Sequence, residues 1–236
     1  MMRLNFIVEG SSEEVFVKNV LTPHFSTFNI YIAVRKIQTG WNNFAGKPAK
    51  GGMVSYAKFK NDILRWVKSD KCSKHCWYTT MVDLYKFPTD GDSPYTNNLA
   101  NIADRYLRVE TLEKAIADDL KIKQFIPYIQ LHEFETFLLI NPERLQLMYP
   151  ESAKKIAGLK KDIAKQPNVE LINDTEQGAP SKRIIRFIPA YEGQKAQIGP
   201  LIAEDIGLET LRKRCTHFNQ WLIKLENLNK PTTLTS

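Results

Sequence analysis

The sequence predicts an α/β fold: a mostly parallel sheet flanked by helices, with a helical extension at the C-terminal end. Three observations predict it. Over the first 140 residues, short apolar or β-branched runs alternate with stretches of helical periodicity, and that alternation implies parallel strands covered on both faces. From about His132 onward the pattern becomes mainly helical. The 236 residues, 43% of them hydrophobic and 25% charged, are enough for a substantial core.

Leu4 to Val8 reads as a buried strand, broken by Glu9-Gly10-Ser11-Ser12. The helix that follows gathers Val15, Phe16, Val17, Val20 and Leu21 largely on one side, and Ser11 with Glu14 has the spacing of a capping box. Ile30 to Val34 is a second β-branched run. Gly40 to Gly52 is a Gly/Lys/Asn-rich loop without the G-K-[ST] ending of a phosphate-binding P-loop. A helix over Tyr56–Lys68 follows, with Tyr56, Phe59, Ile63, Leu64 and Val67 as its apolar stripe.

Cys76 to Val82 is the third strand and ends at Asp83. Pro88, Asp90-Gly91-Asp92 and Ser93-Pro94 mark a long loop, and residues 99–119 read as helix. Phe125 to Leu131 is the fourth strand, with Pro127 restricting its pairing. Beyond it, Pro150, Pro167 and Gly178-Ala179-Pro180 interrupt the helical pattern. The last long segment sets Leu211, Cys215, Phe218, Leu222 and Leu225 at helical spacing, which assigns Cys215 to the core. The expected organisation is an α/β unit over residues 1–140 and a helical extension over 141–236 packed on it.

No apolar run approaches the roughly 18 residues of a membrane span, and the first strand reaches Glu9 too soon for a signal peptide. Three cysteines, Cys72, Cys76 and Cys215, cannot all pair, so a cytoplasmic location is expected. The formal charge of +7 lies in the first third of the chain: residues 35–74 hold 10 basic and 2 acidic side chains. Lys47, Lys50 and Lys58 belong to this stretch, interleaved with Trp41, Phe44, Tyr56, Phe59 and Trp66. Cations with aromatics suit a nucleic acid; a solvated helix face over a buried stripe explains the same pattern equally well.

Three strands end in carboxylates at what a parallel sheet makes its functional edge: Val8-Glu9-Gly10, Val82-Asp83, and Leu131-His132-Glu133-Phe134-Glu135. Carboxylates directly after apolar strands are costly unless something compensates them. A divalent cation is the natural remedy, and an all-oxygen set favours Mg²⁺ or Mn²⁺. Glu9 has no capping duty and ranks first; Asp83 follows; Glu13, one turn into the first helix, can reach the same place. Glu133 ranks slightly above Glu135, while His132 reads as a core or capping residue. Cys72-x-x-x-Cys76 with His75 is a weak zinc pattern that lacks a second pair. Pro180-Ser181-Lys182-Arg183 opens a helix that carries Lys182 and Arg186 on one side, and cations at a helix start call for an anion, either a phosphate or neighbouring acids.

Glu9-Gly10 after strand one, Asp83 after strand three and a later paired-carboxylate motif resemble the TOPRIM domain of topoisomerases, primases and related nucleases, over about residues 3–140. More closely, Val8-Glu9-Gly10-Ser11-Ser12-Glu13-Glu14, Val82-Asp83-Leu84-Tyr85, Gln130 to Glu135 and Pro180 to Arg183 are similar to an uncharacterised bacterial TOPRIM-like family, a domain of unknown function, from Val8 to Trp221. The resemblance implies Glu9 as general acid/base or metal-positioning group and Asp83 as a Mg²⁺ ligand. Asp83-Leu84-Tyr85 departs from the usual Asp-x-Asp, so a second acid must come from Asp90, Asp92 or the Glu133/Glu135 pair, or be missing.

The expected function is a Mg²⁺-dependent phosphodiesterase acting on nucleic acid, in mobile-element or phage defence. Its catalytic residues would be Glu9, Asp83 and Lys182, its metal ligands Glu9, Asp83, Glu133, Glu135 and Glu13, and its strand contacts Lys47, Lys50, Lys58, Arg183 and Arg186. The alternative is a non-catalytic subunit that binds nucleic acid or a separately encoded ATPase through a degenerate site.

Overall fold

The structure, a computed structural model, describes residues 2–37, 41–42, 47–48, 53, 55–70, 75–85, 87–172 and 176–229. The chain begins with β1 (Met2–Val8) and a helical stretch in three parts: α1 (Ser11–Phe16), a π-helical turn (Val17–Leu21) and α2 (Thr22–Ser26). Next come β2 (Ile30–Lys36), the short antiparallel pair β3 (Trp41–Asn42) and β4 (Lys47–Pro48), and α3 (Tyr56–Ser69). Then follow β5 (Cys76–Asp83), α4 (Asn97–Ala100), α5 (Arg105–Leu120), β6 (Phe125–Ile126) and β7 (Ile129–Gln130).

The main sheet has five strands and is parallel throughout. Its order is β2–β1–β5–β6, with β7 also paired to β5. This is an α/β fold. On one face Leu4, Phe6, Val8 and Met81 join a core with Phe16, Phe137, Phe218 and Trp221. On the other, Ile7, Tyr78 and Val82 pack with Phe59 and Ile63 of α3 and Leu112 and Ile116 of α5. Both faces are covered, as near-continuous apolar strands require.

Past β7 the chain runs through 3₁₀ turns into α6 (Ala153–Ile163), α7 (Pro180–Phe187), α8 (Lys195–Ile206), α9 (Leu208–Arg214) and α10 (Thr216–Glu226). These helices share the first core with β1: Phe6 meets Trp221 edge-on at 5.7 Å, and Tyr128 stacks on Trp221 at 4.1 Å. Glu170, fully buried, caps α10 by accepting from the His217 and Phe218 amides at 3.1 and 3.2 Å and from the Tyr106 hydroxyl at 2.8 Å. A carboxylate is well placed at the positive end of a helix.

Several elements differ from expectation. The predicted fourth strand is two short strands, because Pro127 has no amide for the ladder. The Thr80 hydroxyl fills the gap, donating to the Tyr128 carbonyl and accepting from its amide, both at 2.9 Å. The helix read over 99–119 is α4 and α5, and Asp104 caps the second by accepting from the Tyr106 and Leu107 amides. The C-terminal helix divides at Cys215, whose extended backbone separates α9 from α10 and whose side chain is buried as expected. Cys76 is disulfide-bonded, which removes its sulfur from any zinc site.

Candidate functional site: carboxylates at the C-terminal edge of the sheet

β1 and β5 are adjacent and parallel with Val8 opposite Met81. Glu9 lies one residue past this rung and Asp83 two, so the two emerge as near neighbours. The Asp83 amide donates to Glu9 Oε2 at 3.1 Å, and the Glu9 amide donates to the Met81 carbonyl at 3.2 Å. A second amide, that of Met53, also bonds the Glu9 carboxylate. Asp83 Oδ1 is buried and has no hydrogen-bond partner.

The capping assignment of the first helix changes. Gly10, not Ser11, is the N-cap, and Glu13, not Glu14, reaches back: the Gly10 amide donates to Glu13 Oε2 at 2.9 Å. Glu14 instead turns outward to Lys18 at 2.6 Å and Lys36 at 3.0 Å. Gly10 leaves room for this contact, since a Cβ there would lie 3.0 Å from Glu13 Oε2 and that carboxylate would have to shift. The cap thus buries Glu13, 5% exposed, beside Glu9.

The third contribution arrives from β7. His132 adopts φ 69°, in the left-handed region that non-glycine residues rarely occupy. The turn ends the strand, and Glu133 opens the 3₁₀ turn Phe134–Thr136. Glu133 accepts from the Ser181 amide at 2.8 Å and the Ser181 hydroxyl at 3.1 Å, capping α7. Glu135 faces the Tyr191 hydroxyl, which donates to it at 3.3 Å, and lies within the field of Lys195. Both glutamates are buried, at 8% and 7% exposure. Gly199 makes space for this arrangement, because a Cβ there would meet the Tyr191 hydroxyl at 3.1 Å.

Four of these carboxylates, Asp83, Glu9, Glu13 and Glu135, ionise less readily than usual. Burial pushes Asp83 well above the usual carboxylate range, and the charges of Glu9, Glu13, Glu135 and Glu133 add to the rise. Burial also raises Glu9, against the Asp83 and Met53 amides. Glu13 is raised to about 8, by burial and by Glu9 and Glu135. Glu135 is raised to about 7, by burial and then Glu133, with Lys195 and Tyr191 opposing.

A pH dependence follows. Acids that ionise near pH 4.5 in the unfolded chain keep their protons in the folded one until about pH 7–8. Their contribution to stability is therefore largest below about pH 4.5 and is lost as pH rises through the folded values. The melting temperature of metal-free protein is expected to fall by several degrees between pH 5.5 and 8.5, and Glu13→Gln to remove about half of that fall. A melting temperature that is flat or rising over this window contradicts the clustering.

The other sequence candidates lie elsewhere. Asp90 accepts from the Tyr56 amide at 3.2 Å, and Asp92 is exposed, so the acids nearest Asp83 include Glu133 and Glu135 instead. Lys182 and Lys58 are exposed. Arg183 is engaged by Asp162 at 2.7 Å and by the Gly178 and Ile172 carbonyls, which fasten the start of α7. Arg186 is exposed and reaches the Gln177 carbonyl at 3.3 Å. Lys47 falls in β4, and Lys50 lies outside the described residues. Tyr56, Phe59 and Trp66 are core side chains and not open stacking surfaces. Ser181, Tyr191 and Lys195 are the neighbours that sequence reasoning missed. They are separated from the acids by 46 or more residues of chain and join them only through the packing of α7 and α8.

Among the described residues, no three His, Cys, Asp or Glu side chains already form a group able to hold a metal ion. The donor set fits Mg²⁺ or Mn²⁺ in kind, being all oxygen with the buried Asp83 Oδ1 unpaired. Glu9, Glu13 and Glu133 are each already held by a backbone amide. A groove of about 700 Å³ between α5 and α10, lined by Lys114, Pro127 and Ile223 among others, contains none of these carboxylates.

No curated protein and no solved structure matches the chain. A family model described as Domain of unknown function (DUF4276) matches residues 8–226, a span that holds every carboxylate of the cluster, and the chain belongs to that family.

Proposed function

We propose that the carboxylate edge is the active site of a Mg²⁺- or Mn²⁺-dependent phosphodiesterase acting on nucleic acid. The observation that carries this is the unpaired, buried Asp83 oxygen in the field of four other carboxylates. A buried oxygen without a partner is costly unless a ligand compensates it. Asp83, Glu9 and Glu135 are the residues that would hold the cation, while Glu13 and Glu133 remain committed to helix caps. When bound, the ion supplies Lewis-acid polarisation of the phosphoryl oxygen and a water of lowered pKa.

The chain's own groups do the rest. Glu9 is fixed by two backbone amides and takes the proton of the attacking water at a carboxylate oxygen. Lys195 beside Glu135, and the exposed Lys182 on the helix capped by Glu133, hold the phosphate's charge. The TOPRIM-like reading rests on the same pair, Glu9 after β1 and Asp83 at the end of β5, on neighbouring parallel strands. Cytoplasmic action on mobile-element or phage nucleic acid remains part of the proposal.

A second reading has its own support: a non-catalytic subunit that binds nucleic acid or a separate ATPase. Asp83-Leu84-Tyr85 lacks a second acid, and the described acids form no ready ligand group. Incubating purified protein with labelled single- and double-stranded DNA and RNA, with and without Mn²⁺, separates the two. Metal-dependent cleavage abolished by Glu9→Gln supports the enzyme. Binding without turnover under every condition supports the subunit.

A further inference from the structure

Resting on the nucleic-acid reading above, we propose that a second site, on the opposite face of the β1–β2 edge, binds a phosphate of the single strand whose neighbouring group reaches the carboxylates. It is a cavity of about 230 Å³ between the end of β2 and the outer side of α3. Its apolar lining is Ile7, Ile37 and the Trp66 ring; its polar lining includes Arg35, Lys36 and Arg65.

The two arginine charges there are weakly compensated. The Arg35 guanidinium lies over the Trp66 ring, 4.4 Å from its centroid. This contact fixes the fork without neutralising it, and a planar guanidinium held on a ring is preorganised for a phosphate. Arg65, its side chain 77% exposed, has only a loose pairing with Asp62 at 3.9 Å. Lys36 pairs with Glu14 at 3.0 Å and touches the Ser11 hydroxyl at 3.3 Å, which places it at the start of the helix following Glu9. With Lys36 held by Glu14, two arginines thus meet the single carboxylate of Asp62 within the cavity lining.

Position links this cavity to the acids. Arg35 and Lys36 stand opposite Ile7 and Val8 in the β1–β2 ladder, so the cavity begins one strand away from Glu9. Parallel strands are about 4.8 Å apart, a step within the reach of one or two nucleotides. The Ile37 amide bonds the Val8 carbonyl at 2.9 Å, keeping the two strand ends in register at the edge. An anionic strand crossing that edge would meet two arginines on one side and the carboxylates on the other. The arginines therefore hold the strand, and the carboxylates supply the chemistry.

The test is fluorescence anisotropy of a labelled single-stranded oligonucleotide in metal-free buffer across a salt series, using full-length protein. Arg65→Ala is expected to weaken binding about threefold or more, and Arg35→Ala/Arg65→Ala more than tenfold. The slope of log affinity against log salt should shrink by about 0.7 per lost contact. Arg65 is surface-exposed, so its variant reads the contact without disturbing the core. Wild-type binding with an unchanged slope in both arginine variants overturns the site while leaving the cleavage reading in place. Arginine-dependent binding without metal-dependent cleavage does the reverse. Competition by a mononucleotide as strong as by the strand also overturns it, because the cavity then takes a free nucleotide.

Discussion

Asp83→Asn is expected to lower metal-dependent cleavage by about 10³-fold or more while making the metal-free protein more stable. Both effects come from one atom. Asp83 Oδ1 is buried without a partner, and the residue faces the charges of Glu9, Glu13, Glu133 and Glu135. An asparagine of the same shape cannot ionise among those charges at any pH, so the melting temperature at pH 8 should rise by a few degrees. The same change removes the oxygen with most to gain from a cation, and losses of this size are usual for groups acting directly at the reacting centre. The pairing of gain and loss distinguishes this from damage to the fold, which lowers both. It also matches the general opposition between stability and activity at sites that hold uncompensated charge. A variant with undiminished cleavage, or one less stable than wild type without metal, contradicts the assignment.

Glu170→Ala is expected to have the largest effect on stability, a loss of about 3–5 kcal/mol, or roughly 10 °C in melting temperature. The carboxylate is fully buried and satisfies the His217 and Phe218 amides and the Tyr106 hydroxyl together. Its removal leaves two amides at the start of α10 without an acceptor inside the protein. The neighbouring Tyr106, whose hydroxyl is raised to about 12 chiefly by burial and the Glu170 charge, loses its acceptor as well. Glu170→Gln keeps an acceptor oxygen and should recover a large part of the loss. Thermal denaturation of the two variants checks this, and a Glu170→Ala protein within 2 °C of wild type would show that the cap carries little.

The contrast between Glu170 and Asp83 shows what the sequence could reveal. Asp83 stands directly after an apolar strand, so its place at the sheet edge follows from periodicity and the parallel topology. Glu9 is legible for the same reason, and the register of β1 with β5 puts the two in contact. Glu170 lies in a stretch with no strand or strong helical period, and its carboxylate's partners are 47 or more residues away on either side. Nothing local marks it as buried. Glu13 and Glu14 show a finer limit: a capping box is a spacing, and shifting its start from Ser11 to Gly10 exchanges which glutamate is buried with the acids and which faces Lys18 and Lys36.

The basic segment gives a similar lesson. Tyr56, Phe59 and Trp66 alternate with lysines and arginines as stacking residues do, yet α3 buries all three against the sheet. A helix with an apolar stripe and a nucleic-acid surface share one composition, and the distinction is made by the strand it packs on. What remains outward, Arg35 and Arg65 around the edge of Trp66, required the crossing of β2 and α3 to be seen.

The most direct measurement is an anomalous difference map from crystals of the full chain grown with Mn²⁺. The account predicts a peak bound by an Asp83 oxygen and by at least one of Glu9 or Glu135, at about 2.0–2.3 Å. A map without manganese at the C-terminal ends of β1 and β5, with the ion present in the crystal at another place, would contradict it.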